Sequence, residues 1–305
     1  MTEAQPKGGH RKEIVVISGK GGTGKTSVTA AFAALAEDAV LADCDVDAAD
    51  LAIILDPVVR EEGDFSGGKQ ATIVAERCVG CGRCFELCEF GAIDRNLDLR
   101  DTVYTVDPVA CEGCGVCAHF CPQGAVDFRE VVNGRWFLSD TRFGPMAYAE
   151  LGIAEENSGK LVSLVREKAR QEAADRCRSI VLIDGPPGVG CPVISSVTGV
   201  DLVVIVSEPT LSGLHDTERV MELARHFDVP VLVCVNKADI NPEIAGRIED
   251  IAGEERTLGR IPYDISVVEA QVARKTVIEY SRGPAAMAIE LVWKKIESYI
   301  ADTQQ

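Results

Sequence analysis

The 305-residue chain has no run of about 18 apolar residues, the length a helix needs to cross a bilayer, so no membrane-spanning helix is expected. Residues 1–12 are polar and lack the apolar segment of a secretory signal, which points away from export. Positive charge is scarce: 31 Lys and Arg face 48 Asp and Glu, a formal net charge of −17. A surface of that sign repels phosphate backbones, so nonspecific nucleic-acid binding is not expected. Aromatic residues make up only 5%, yet 46% of the chain is apolar, enough to bury one or two cores.

Cysteine, by contrast, is plentiful. Eight of the twelve stand in two C-x2-C-x2-C-x3-C runs: Cys78, Cys81, Cys84, Cys88, and then Cys111, Cys114, Cys117, Cys121, followed by Pro122. Three thiols at intervals of three residues wrap one loop around a cubane cluster, and the fourth ligand comes from the opposite run; this is the spacing of two-cluster bacterial ferredoxins. On that rule Cys78, Cys81, Cys84 and Cys121 take one [4Fe-4S] cluster, and Cys111, Cys114, Cys117 and Cys88 take the other. The flanks repeat at an offset of 33, Gly91 matching Gly124, Ala92 Ala125, Ile93 Val126 and Asp94 Asp127. Such a repeat implies two copies of one small unit about a pseudo-twofold axis. Glu89 departs from it, standing where the second run has Pro122. Zinc sites favour two C-x2-C pairs set further apart, and a disulfide framework belongs to an exported chain.

Residues 14–17 form a short apolar run that reads as a buried parallel strand. Gly19-Lys20-Gly21-Gly22-Thr23-Gly24-Lys25-Thr26 follows at once and fits G-x-x-x-x-G-K-T, with an Ala-rich helix expected over 27–37. Glycines let backbone N–H groups turn inward on phosphates, Lys25 reaches the β- and γ-phosphates, and the Thr26 hydroxyl binds Mg²⁺. The helix N-terminus, beginning near Ser27, points at the anion.

Lys20 is a second lysine inside the loop. With it, these residues resemble the K-G-G-x-G-K-T deviant phosphate loop of the MinD/Mrp superfamily of P-loop ATPases, to which the nitrogenase iron protein also belongs. The resemblance implies that Lys20 crosses a homodimer interface to the partner's nucleotide and, with Lys25, serves catalysis. Strand 39–42 ends in Asp43-Cys44-Asp45-Val46-Asp47, which resembles switch I: Asp43 would approach Mg²⁺ through water and Asp45 would position the attacking water, with Asp47 the alternative. Strand 179–183 ends at Asp184, the Walker B carboxylate, which would also serve Mg²⁺. The following Gly185-Pro186-Pro187-Gly188-Val189-Gly190-Cys191-Pro192 resembles switch II. Asn236, in the Asn236-Lys237-Ala238-Asp239 element after strand 231–235, is assigned to adenine; guanine is the other reading of this N-K-x-D motif. The loop over 259–264 would border the base.

Cys191 matches the interval of one bridging-cluster cysteine of the nitrogenase iron protein, but that protein's second such cysteine has no counterpart here. Cys44, Cys177 and Cys234 read as structural. His119 reads as a tuning or surface residue, and His215 and His226 as packing or solvated groups. Asn157-Ser158-Gly159-Lys160 lacks the upstream glycine of a second phosphate loop. As part of Glu155-Glu156-Asn157-Ser158-Gly159-Lys160-Leu161 it resembles a segment of MinD-like ATPases carrying an inserted ferredoxin, one that helps form a dimer surface. The C-terminal helix, 285–300, sets Ile289, Val292, Trp293, Ile296 and Ile300 on one face. Glu290 and Glu297 balance Lys294 and Lys295, so packing on the sheet is expected over membrane binding.

The expected fold is α/β, a mostly parallel P-loop NTPase sheet with helices on both faces, interrupted by an α+β bacterial-type 2[4Fe-4S] ferredoxin domain. The discontinuous ATPase domain takes 1–68 and 132–305 and the insert 69–131, with 61–69 as the linker into it. Expected cofactors are two [4Fe-4S] clusters, ATP and Mg²⁺, in a reducing cytoplasm. The leading function is a nucleotide-gated homodimer that controls electron transfer or docking by the ferredoxin insert to a redox partner. The alternatives are an Mrp-type scaffold or carrier handing clusters to an acceptor protein, and a MinD- or ParA-like positioning switch.

Overall fold

The structure, a computed structural model, describes residues 11–95, 104–152 and 158–302. Glu155, Glu156 and Asn157 of the expected dimer-surface segment lie outside them. The chain divides into two compact units: Met1–Gly63, Trp136–Glu150 and Ser158–Gln305 form the first, and Asp64–Arg135 with Leu151–Asn157 the second. The expected insert, 69–131, is the inner part of the second unit's main span.

The first unit is built on a nine-stranded sheet. Its order is Thr257–Ile261, Val231–Asn236, Leu202–Ser207, Lys12–Ser18, Ile180–Pro187, Ala39–Asp43, Gly144–Leu151, Gly134–Thr141 and Val58–Phe65. From Thr257–Ile261 through Gly144–Leu151 every neighbouring pair is parallel. Central strands of a parallel sheet lose both faces to packing, which is why they read as unbroken apolar runs. Ile14 and Val16 join a core with Phe32 of helix Lys25–Leu35 and Trp293 of helix Pro284–Asp302. Val15 and Ile17 point to the opposite face by strand alternation and are equally buried, so both faces are covered.

The linker expected over 61–69 is instead strand at both ends. Val58–Phe65 forms the edge of the large sheet, and Gly68–Ile73 starts the second unit's pairing. Its polarity misled because Arg60, Glu61 and Glu62 are the charges by which an edge strand discourages further pairing. Gly134–Thr141 and Gly144–Leu151 share the two-residue turn Arg142-Phe143, which only antiparallel strands can do. On the C-terminal helix Ile289, Val292, Trp293 and Ile296 are buried, whereas Ile300 is only partly so. No helix among the described residues is long and apolar enough to cross a membrane.

The second unit holds two small antiparallel pairs, Gly68–Ile73 with Val126–Val131 and Ile93–Arg95 with Tyr104–Val106. Helices Arg83–Glu86 and Val116–His119 follow left-handed Gly82 and Gly115. The sequence offset of 33 returns in the backbone: Gly80, Gly82 and Gly91 have φ of 70°, 79° and 62°, and Gly113, Gly115 and Gly124 have 62°, 75° and 57°. These turns need φ > 0, which glycine adopts without steric cost.

Candidate functional site

The phosphate loop leaves the central strand Lys12–Ser18 and enters helix Lys25–Leu35 through left-handed Gly24. It borders a cavity of about 610 Å³ lined by residues from Gly21 through Val28, with Asp45, Asp47, Asn236 and Lys237. That volume is typical of small-molecule and cofactor sites. Gly19 lies behind the loop, packed so tightly that a Cβ there would come within 2.1 Å of Asp216 Cβ.

Lys25 is nearly buried and its Nζ stands 2.9 Å from Asp184 Oδ1 and 3.5 Å from Asp45 Oδ2. Asp184 also accepts from Thr26 Oγ1 (2.8 Å) and Thr29 Oγ1 (2.9 Å). Asp43 is fully buried behind the loop and accepts the N–H groups of Asp45 and Leu51, both at 3.1 Å. Burial alone would lower the Lys25 pKa; the charges of Asp184, Asp45 and Asp43 outweigh it and raise the pKa above the ordinary value. Burial, then the Asp184 charge, pushes the Asp43 carboxyl well above the usual range. Burial also raises Asp45, against the pull of Lys25. One lysine thus faces three carboxylates, an excess of negative charge that a divalent cation beside Thr26 and Asp184 would relieve.

Lys20 does not line the cavity. Its Nζ lies 3.3 Å from Glu208 Oε2 and donates to Thr210 Oγ1 (3.2 Å) and Ser212 Oγ (3.1 Å). The other Glu208 oxygen holds Lys237 Nζ at 3.1 Å, and that ammonium also donates to the Gly22 carbonyl at 3.0 Å. Asn236 borders the cavity with its Nδ2 donating to the Thr23 carbonyl at 2.7 Å; a Cβ on Gly24 would come within 2.4 Å of that nitrogen. Asp239 Oδ1 accepts the Tyr263 N–H at 2.6 Å, and the residue stands outside the cavity lining.

Part of the expected loop over 259–264, Ile261 through Asp264, does reach the cavity. Sequence reasoning missed Val267, Val268 and Gln271, which line it too, Gln271 Nε2 donating to Ser27 Oγ at 2.7 Å. Only their position after the Asp264 N-cap of helix Ile265–Val272 hinted at them.

In the second unit the two cysteine runs exchange their last members. One cavity is lined by Cys78, Cys81, Cys84 and Cys121, a second by Cys111, Cys114, Cys117 and Cys88. The Ala92 and Ala125 N–H groups donate to Cys88 Sγ and Cys121 Sγ at 3.4 and 3.3 Å, an equivalent pair. Burial raises the Cys84 and Cys117 thiols above their ordinary value. Among the described residues no three His, Cys, Asp or Glu side chains converge on a single-ion site. A cubane is ligated differently, one thiolate to each iron corner, so its ligands encircle a volume. The donor set and its crossed arrangement fit two such groups.

Of the remaining cysteines, Cys44 and Cys234 are buried; burial pushes Cys44 up strongly and Cys234 up to about 12. Cys177 is exposed, with φ of 53°, at the end of helix Ser158–Asp175, a position glycine more often takes. Cys191 is exposed as the first residue of helix Cys191–Val197. His119, His215 and His226 are all exposed.

The family model for the CobQ/CobB/MinD/ParA nucleotide binding domain matches residues 14–277. The chain is 32% identical to an uncharacterized protein of Methanocaldococcus jannaschii, covering 94% of this chain and 97% of that one. It is 30% identical over 132 residues to an iron-sulfur cluster carrier protein of Pyrococcus abyssi, covering 38% of this chain and 44% of the carrier. Among solved structures it shares the fold of the septum site-determining protein MinD complexed with Mg-ADP from Pyrococcus horikoshii, with a TM-score of 0.57 at 16% identity, over 95% of this chain and 97% of that one.

Proposed function

The chain belongs to the CobQ/CobB/MinD/ParA nucleotide-binding family, and on that footing we propose that it is an ATPase whose nucleotide-gated homodimer controls electron transfer or docking by an inserted two-cluster ferredoxin unit. The observation that carries this reading is the exchange of Cys88 and Cys121 between two cysteine-lined cavities, in a chain whose other unit carries a phosphate loop.

In the ATPase, backbone N–H groups from Gly21 to Ser27 cradle the phosphates and Lys25 neutralises their charge. Thr26 and Asp184, with Asp43 behind them, would hold Mg²⁺, which would supply further neutralisation of phosphate charge. Asp45, within reach of Lys25, orients the attacking water. Asn236 faces adenine; ATP is favoured over GTP because Asp239, the residue an N-K-x-D element would turn to guanine, stands outside the cavity lining, its Oδ1 accepting the Tyr263 N–H. Glu208 keeps Lys20 in its own protomer, and dimerisation transfers that ammonium to the partner's nucleotide. In the second unit the eight thiolates hold two [4Fe-4S] clusters, which supply one-electron carriage when bound. Thiolates that must stay reduced fit a cytoplasmic protein.

The deciding experiment is anaerobic purification with iron, sulfide and co-purifying proteins quantified. About eight irons per chain are expected. Lys20→Ala should abolish ATP-dependent dimerisation and leave that iron content intact. Iron loss in this variant, or turnover by a protomer that never dimerises, sinks the proposal.

The similarity to the Pyrococcus carriers, with Cys191 exposed, favours a second reading: a scaffold or carrier that hands clusters to an acceptor. Anaerobic incubation with an apo acceptor separates the two. Iron appearing on the acceptor while both resident clusters persist supports the carrier. ATP-dependent reduction of a partner without iron transfer supports the gate. A positioning switch is disfavoured by the net charge of −17 and by the terminal helix, whose Ile289, Val292, Trp293 and Ile296 are already buried.

A further inference from the structure

Helix Ser158–Asp175 is tied, from its first turn to its middle, to the loops around the nucleotide cavity. Arg166 is only 5% exposed, and its Nη1 donates to the carbonyls of Ser195 (2.6 Å) and Thr198 (3.0 Å). These belong to the end of helix Cys191–Val197, which follows the Gly- and Pro-rich loop after Asp184. The last carbonyls of a helix have no intrahelical donor, so the guanidinium caps this short helix and yokes it to the long one. Glu13 Oε2 fixes the other branch, Arg166 Nη2, at 2.8 Å. Upstream, a Cβ on Gly159 would stand 3.1 Å from Ser195 Oγ. The same helix meets the other carboxylate loop, Cys44 Sγ lying 4.0 Å from the Val162 carbonyl.

Further along, the helix holds two strands at the opposite edge of the site's sheet. Lys168 Nζ sits 3.2 Å from the Trp136 ring centroid, and that indole lies over Gly63, where a Cβ would come within 2.6 Å of the ring. Glu172 accepts from Arg60 Nη2 at 2.8 Å and Arg176 Nε at 3.0 Å. Both arginines pair with Asp140, at 2.9 and 3.1 Å. Arg60 and Gly63 lie on strand Val58–Phe65, and Trp136 and Asp140 on strand Gly134–Thr141. Both strands run unbroken across the boundary into the second unit, at 63/64 and 135/136.

From this chain of contacts we propose that helix Ser158–Asp175 is the lever that carries the state of the nucleotide site to the second unit. Arg166 is its near coupling, and Lys168–Trp136 and Glu172–Arg60 are its far couplings. The proposal rests on the ATP-gating reading above. A packed helix held by directional contacts from its middle, at Arg166, into its second half, at Lys168 and Glu172, moves as a body, and a shift of strands Val58–Phe65 and Gly134–Thr141 is felt by the chain that leaves them. All three are positioning contacts; none of their residues lines the cavity.

The test is hydrogen–deuterium exchange on the full, iron-loaded chain, kept anaerobic, with and without Mg-ATPγS. In the parent chain nucleotide changes exchange within Asp64–Arg135. In the Lys168→Ala/Glu172→Gln double variant that change shrinks by about 2- to 30-fold, while protection of residues 18–27 by Mg-ATPγS and its affinity are retained. Arg166→Lys, which keeps the charge but loses the forked cap, behaves alike. Lys168 is only partly buried, so Lys168→Ala alone reports even if buried Arg166 or buried Glu172 proves necessary for folding. A full response of the second unit in the double variant overturns the lever alone. No response in the parent chain overturns the lever together with the gating reading.

Discussion

In the first unit the phosphate loop hangs from strands whose side chains, Ile14 to Ile17 on one and Val181 to Ile183 on its neighbour, have almost no contact with water. In the second, the buried apolar side chains among the described residues are Phe65, Ala71, Ala92, Ile93, Tyr104, Ala125 and Val126, while Val79, Phe85, Phe90, Val109 and Phe120 remain exposed. Apolar burial stabilises by about 25 cal/mol per Å², and a unit with this little of it falls where metals or disulfides are usually needed to hold a fold. The nucleotide site is a by-product of a core that stands without it. The cysteine-lined cavities sit where the second unit's core would otherwise be, so on the proposed reading the clusters and the local fold are one quantity.

The strongest challenge to that contrast is removal of iron. Anaerobic chelation should collapse amide protection throughout Asp64–Arg135 and leave strand Lys12–Ser18 protected; a second unit that keeps its protection without iron would erase the distinction. Next, Trp293→Ala removes a side chain only 2% exposed that packs against Phe32 at 5.2 Å between ring centroids. Thermal denaturation should show the first unit losing about 3–5 kcal/mol, with iron content unchanged. Gly113→Ala is the converse: φ is 62° and the new Cβ would meet the Lys69 carbonyl oxygen at 2.1 Å. It should cost the second unit about 1–3 kcal/mol and speed iron loss, without altering nucleotide affinity in a binding titration. The smallest effect is expected at Glu279. Burial would raise its carboxyl, but the Arg142 fork and the Thr276 N–H and hydroxyl outweigh it, and its pKa lies below the usual 4.5. A depressed carboxyl contributes stability that is complete above 4.5 and is lost as pH falls through the lowered value. Glu279→Gln should therefore cost the first unit about 1 kcal/mol or less at neutral pH, a gap that closes in acid during denaturant titrations.

The strand, loop and helix around Lys25 were legible because local signals agree: an apolar run, a glycine-rich turn, then an Ala-rich helix. The grouping of cysteines was legible because ligand spacing is set by local backbone reach. The strands Val58–Phe65, Gly134–Thr141 and Gly144–Leu151 were not: the first is an edge strand carrying charges, and the other two, just inside it, mix polar with apolar residues and lack an unbroken aliphatic run. Nor could sequence show that Glu208 holds Lys20, or that Gln271 reaches Ser27 across 244 residues. Such pairings depend on strand order, which no local pattern encodes.

The exchange of Cys88 and Cys121 has a genetic corollary. Each half of the 33-residue repeat supplies one cysteine to the cavity lined mainly by the other. A lesion at Cys88 strikes the chamber built mainly by the later half, so a variant at that codon will disclose its damage at the distant address.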